Sequence, residues 1–136
     1  MDLAIDGVKD LQGEANCQIV QADLENAPWP FNHEGFDGVV VTNYLFRPHL
    51  AQLIASLKPG GVLIYETFSQ GNAEFGRPSN PDFLLKPGEL LAMTVDSTRV
   101  IAFEDVYVER PKPAVMQRIC AVKNGAPPRH FPVPGN

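Results

Sequence analysis

Five polar residues stand at the ends of short apolar runs. Asp6 closes Leu3–Asp6, Asp23 follows Cys17–Ala22, Asn43 and Tyr44 follow Asp37–Thr42, and Glu66 follows Val62–Tyr65. Where such runs are strands of an open α/β sheet, their carboxyl ends are where ligands bind. Asn43 and Tyr44 end a very apolar run and read as ligand-facing, the bland option being a tyrosine packed on the next helix. Glu66 could orient a substrate or act as a base, or form an ion pair with Arg77 or Arg47. Asp6 could be a plain turn carboxylate, and Asp23 a helix or turn cap. The segment Phe75–Phe83 (FGRPSNPDF) combines two aromatics and two prolines with Arg77, Asn80 and Asp82. A loop this long in a compact domain is usually functional or disordered, and Pro with aromatics favours order. It reads as a substrate lid carrying Arg77, Asn80 and Asp82, or as a brace over the C-terminal strands. His49 reads as a solvated or capping histidine, and Trp29 as a core residue.

The elements that would position these groups follow from pattern. Gly38–Val41 is apolar or small throughout, which fits a parallel strand buried on both faces. Pro48 suits the first turn of a helix. Leu50, Leu53, Ile54 and Leu57 then recur at helical spacing as one apolar stripe. Pro59-Gly60-Gly61 is expected to end that helix, and Val62–Tyr65 to be the next buried strand. Together these make one βαβ unit. Cys17–Ala22 alternates as a strand does, and Asp23–Gly35 reads as a loop. After the polar stretch Ser69–Leu85, a short helix is expected over Lys86–Met93. Arg99–Glu109 and Ala114–Lys123, separated by Arg110–Pro113, form an antiparallel hairpin. Residues 125–136 read as a flexible tail after a domain spanning 1–124.

Composition narrows the function classes. The chain has 136 residues and net charge −5, without a basic cluster, which disfavours a nucleic-acid partner. No apolar stretch is long enough to span a membrane, and the N-terminus lacks the pattern of a signal peptide. Cytoplasmic localisation is expected. Cys17 and Cys120 read as free thiols, and no metal-ligand spacing occurs.

Three segments carry a family resemblance: Ala22-Asp23-Leu24 after a strand, FDGVVVTNYL (Phe36–Leu45), and LKPGGVLIYE (Leu57–Glu66). Over about Leu3–Lys123 the chain resembles a class I S-adenosylmethionine-dependent methyltransferase, from its second strand to its seventh. The segment Glu66–Leu91 resembles a bacterial subgroup of small methyltransferases related to the tellurite-resistance type. The resemblance implies an α/β fold: a three-layer Rossmann-like methyltransferase sheet with an antiparallel C-terminal hairpin, its seventh strand beside its fifth. It implies S-adenosyl-L-methionine as cofactor. Asp6 would accept from the ribose hydroxyls, a role suited to an acceptor-only carboxylate. Asp23 would accept from the adenine amino group, Leu24 would hold the ring, and Asn43 and Tyr44 would face the methionine end and the transferred methyl. Trp29 could cover the adenine.

The family's acidic-x-Gly-x-Gly-x-Gly turn is missing. Gly60-Gly61 precedes a strand, and Gly71 and Gly76 lie in the long loop. The first strand and first helix are expected to be missing before Met1, through truncation, a misassigned start or cloning of a fragment. The resulting expectation is a methyltransferase acting on a small molecule, or a shortened form with impaired cofactor binding. The competing expectation is a non-catalytic interaction module that self-associates through exposed strands. A nucleotide-binding oxidoreductase is a third option, disfavoured by the absent glycine fingerprint and the antiparallel hairpin.

Overall fold

The computed structural model describes residues 28–127 and 130. Asp6, Asp23, Leu24, Cys17 and the two earliest expected strands lie outside the described residues. The chain divides into two compact units, Met1–Phe31 and Asn32–Asn136. In the first, Trp29 meets Phe31 edge to face, with ring centroids 5.6 Å apart.

The second unit is built on four strands: β1 (Phe36–Thr42), β2 (Leu57–Phe68), β3 (Thr98–Val108) and β4 (Ala114–Lys123). Their order across the sheet is β1-β2-β4-β3. β1 and β2 are parallel, while β4 runs antiparallel to both β2 and β3. The carboxyl ends of β1, β2 and β3 therefore share one sheet edge. The expected crossover and hairpin are both present, as is the antiparallel strand between the last two parallel ones.

α1 (Leu50–Ala55) follows a 3-10 turn at Arg47–His49 that has proline in its first turn. It buries Leu50 and Leu53. The helix is shorter than its apolar stripe suggests. It ends before Leu57, which opens β2 and is fully buried. Lys58–Gly61 is thus no helix terminator but the irregular start of β2. Phe36 pairs with Leu57 and Gly38 with Val62, so the intervening residues of β2 bulge out. Gly61 permits this: a Cβ there would lie 2.8 Å from the Lys58 carbonyl oxygen and 3.1 Å from that of Asp37. β4 reaches the end of α1, where the Lys123 ammonium donates to the carbonyl of Leu57 (2.7 Å), just beyond the helix, and more distantly to that of Ala55 (3.4 Å).

α2 (Glu89–Thr94) starts three residues later than expected, after Gly88 with φ of 69°. Its first-turn amides have no helical partner of their own, and the sheet supplies them. Asp105 accepts from Gly88 N–H at 3.1 Å, and the Gln117 carbonyl accepts from Leu90 N–H at 3.1 Å. The other end of the Gln117 amide donates to the Lys86 carbonyl at 2.7 Å. Gln117 is completely buried, on the strand face that also carries Ile119 and Ala121.

Both helices lie on the sheet face carrying Leu63, Tyr65, Ile119 and Ala121, all buried. A dent of about 10 Å³ between them, lined by Leu50, Leu53, Leu63 and Leu90 among others, is a packing defect rather than a ligand site. The opposite face is open among the described residues. Val40 on β1 is 68% exposed and Ile64 on β2 is 47% exposed. The expectation that Gly38–Val41 is buried on both faces is corrected here: Val40 is exposed, and the described helices cover one side of the sheet. Cys120 lies on the open face beside Ile64 as a half-buried free thiol. Gly125 and Ala126 lie close to Pro59 and Gly60.

Gln117→Leu is expected to leave the Leu90 amide buried without a partner and to cost about 2 kcal/mol of stability. The midpoint of urea unfolding, compared with the native chain, measures it.

Candidate functional site

The carboxyl edge is assembled from the turn after β1, the end of β2 and the loop that follows. β1 is followed by Asn43, whose φ of 54° is left-handed. Asparagine tolerates this region better than most residues with a side chain. The bend exposes the Asn43 side chain, while its N–H donates to the Glu66 carbonyl at 2.9 Å. Tyr44 follows, half-buried, with its carbonyl accepting from the Tyr65 hydroxyl at 2.5 Å. Tyr65 is 2% exposed, and this burial, with Tyr44 adding to it, pushes its hydroxyl well above the usual phenol range. It is a fixed donor rather than a base. Asn43 and Glu66 are thus neighbours through their backbones, with Glu66 inside β2 rather than after it, and Tyr44 follows on the turn.

The Glu66 side chain points to the open face. There it meets Arg118 at 3.0 Å, and Arg118 also reaches Glu104 at 3.7 Å. The three residues form one cross-strand row over β2, β4 and β3. Neither expected partner of Glu66, Arg47 or Arg77, is the one it takes. Arg47 instead forms a two-pronged pair with Glu89, at 2.6 and 2.8 Å, and donates to the carbonyls of Asp82 (3.1 Å) and Leu84 (3.0 Å). The planar guanidinium matches carboxylate geometry in a way an ammonium cannot. This bond holds the Glu89 carboxyl below its usual range, helped by the Lys86 N–H, and raises Arg47 in turn.

The loop from Ser69 to Lys86 is braced rather than loose. It contains 3-10 turns at Asn72–Glu74 and Pro81–Phe83. Buried Asn72 donates to the Pro78 carbonyl and accepts from Val115 N–H, both at 3.1 Å. Leu84 and Leu85 are buried, and Leu85 N–H donates to the Phe68 carbonyl at 3.0 Å. Arg77, Asn80 and Asp82 remain exposed. The Asn80 side chain accepts from Asp82 N–H at 3.0 Å and so caps the second turn. Phe75 stacks at 5.1 Å on Tyr107 of β3. His49, expected to be solvated or capping, stands at the N-cap position of α1 without a side-chain bond to the helix backbone; it is buried against the Phe46 ring at 5.0 Å, with Nδ1 2.8 Å from the Gln52 side-chain oxygen.

The residues that sequence reasoning missed are Arg47, Glu89, Gln117 and Arg118. The one local signal was the adjacent polar pair Gln117-Arg118 inside the mainly apolar run Ala114–Val122. Among the described residues no cluster of side chains could hold a metal ion, and no helix is long and apolar enough to cross a membrane.

A sheet ordered in this way, with an antiparallel strand beside the last parallel one, has the fold of S-adenosylmethionine-dependent methyltransferases. Among solved structures, one such protein from Aquifex aeolicus superposes at a TM-score of 0.58, with 19% identity over 84% of this chain and 58% of that one. Another from Methanosarcina mazei gives 0.53, with 16% identity over 71% of this chain and 63% of that one. The [4+2]-cyclase SpnF gives 0.55, with 14% identity over 79% and 56%. In sequence, the chain is 33% identical to the ubiquinone/menaquinone biosynthesis C-methyltransferase UbiE of Ectopseudomonas mendocina (strain ymp), over 64% of this chain. The chain spans 37% of that curated relative. No protein-family model matches.

Glu89→Gln is expected to lower stability at pH 7 by about 1 kcal/mol, the pair being partly exposed. A carboxyl depressed in the folded state stabilises above its unfolded value, and that contribution disappears as pH falls through the folded value. The difference between native and variant urea midpoints should therefore hold from pH 7 to about 5 and shrink below about pH 4.5.

Proposed function

We infer that this chain carries the rear part of a S-adenosylmethionine-dependent methyltransferase that acts on a small molecule. The observation that carries this reading is the turn after β1. A left-handed Asn43 presents an exposed amide at the carboxyl edge, fixed by the Glu66 carbonyl and backed by Tyr65. The likeness of fold and the 33% identity to a C-methyltransferase add support.

The residues at this edge fit such a cofactor. An amide that can both donate and accept suits the charged groups of its methionine end. The sulfonium of S-adenosylmethionine supplies an already activated methyl group, so the protein's task is positioning and exclusion of water. Asn43 and Tyr44 would hold the donor. Asp6, Asp23 and Leu24 are assigned to it by the resemblance alone. Glu66, tied to Arg118, would orient the acceptor, with Arg77, Asn80 and Asp82 on the loop that follows β2.

The competing reading, an interaction module that self-associates, draws on one observation: exposed Val40 and Ile64 on the uncovered face. Such apolar surface can mark an interface.

Calorimetry with S-adenosylhomocysteine tests the leading reading. Binding is expected, weakened roughly tenfold by Asn43→Ala, which removes a hydrogen-bonding group and disfavours the left-handed turn. No heat at millimolar ligand would end it. Light scattering separates the competing reading, which requires a dimer or larger at micromolar chain.

A further inference from the structure

The turn proposed to face the methyl donor and the loop proposed to face the acceptor are not independent. Only two residues, Leu45 and Phe46, separate Tyr44 from the side chain that grips the loop. Tyr65 fixes the Tyr44 carbonyl from below, and the Glu66 carbonyl fixes Asn43. Arg47 then spends Nε and both Nη groups on the Glu89 carboxylate and on the carbonyls of Asp82 and Leu84. Downstream, Leu85 is tied to the sheet through Phe68. Between Asn80 and Leu84 the backbone makes its own single turn, Phe83 N–H to the Asn80 carbonyl at 2.9 Å and Leu84 N–H to the Pro81 carbonyl at 3.1 Å. Its side chains at Asp82 and Phe83 are exposed. The Arg47 fork is thus the polar fastening between this turn and the segment after β1.

We propose that residues 43–47 form a coupling element in which Arg47 is a positioning residue, so that a ligand held at Asn43 and Tyr44 tightens the loop at Asn80–Leu84. The inference rests on the donor role given above to Asn43 and Tyr44. Ordering the turn after β1 narrows the positions open to the Arg47 guanidinium. The loop carbonyls follow, because they accept from a planar group with fixed donor directions. A lysine would keep the charge and lose that geometry. The coupling is reciprocal: a compound that orders the loop must raise donor affinity by the same factor.

Amide hydrogen exchange of the full chain, with and without S-adenosylhomocysteine, tests this, alongside calorimetry on the same samples. In the native chain the ligand should slow exchange at Asp82, Phe83 and Leu84 by roughly five-fold or more. In Arg47→Lys the binding heat should persist while the slowing at these amides disappears. A purely structural role would speed exchange there with or without ligand, and would leave no ligand-dependent difference to lose. If Arg47→Lys does not fold, Glu89→Gln carries the same test, since it weakens the fork while leaving the arginine in place.

Binding without slowing at these amides overturns the coupling, as does equal slowing in the native and variant chains. Complete loss of binding in Arg47→Lys also overturns it, by making Arg47 part of the donor site itself. No binding by the native chain removes the donor reading and this inference together.

Discussion

The fold depends on β4 lying antiparallel between β2 and β3. One strand joins the parallel pair to the rest of the sheet, and its side chains reach both helices. Lys123 donates to the carbonyl of Leu57, just beyond α1, and more distantly to that of Ala55, the last residue of α1. Gln117 satisfies an amide and a carbonyl at the start of α2. Helices of six residues cannot hold themselves together in water. Here their end groups are met by the strand they pack against, so helix formation and sheet closure become one event. The buried glutamine is the most exacting part. Two backbone groups depend on one amide, and no apolar substitute satisfies either.

The same economy appears at the carboxyl edge. Polar side chains there are paired mainly to backbone or to one another across strands. The Arg47–Glu89 pair joins the turn after β1 to the first turn of α2. The Glu66–Arg118–Glu104 row joins three strands on the other face. Each sits in partial contact with water, where an isolated ion pair contributes little to stability. Their value is directional, because a two-pronged or shared arginine permits few arrangements of the chain segments it links.

Much of the architecture was legible in the residues. The crossover could be read because two apolar runs flank a helical stripe. The hairpin could be read because Arg110–Pro113 interrupts two extended runs. What could not be read was set by contacts distant in sequence. Arg47 and Glu89 lie 42 residues apart, and Arg118 and Glu66 lie 52 apart. No local periodicity links either pair, so Glu66 was matched to the wrong arginines. The helix boundary failed for a related reason. Leu57 satisfies the helical stripe, yet pairing with Phe36 draws it into the sheet. Likewise the run Gly38–Val41 is apolar enough for two buried faces, but residue type alone does not say which faces other elements cover. The turn after β1 has a local signal, because asparagine tolerates the left-handed conformation that Asn43 adopts there.

The two arginine pairings also bear on the electrical preference of this edge. Arg47 is neutralised by Glu89, and Arg118 stands between two carboxylates. Of the arginines near the ends of β1 and β2, Arg77 alone is exposed and outside any ion pair among the described residues. A molecule bearing several phosphates or carboxylates would meet little attraction from this quarter. The surplus carboxylate of the Glu66–Arg118–Glu104 row is offset by the charge of Arg77, so these residues together leave the quarter without a net sign.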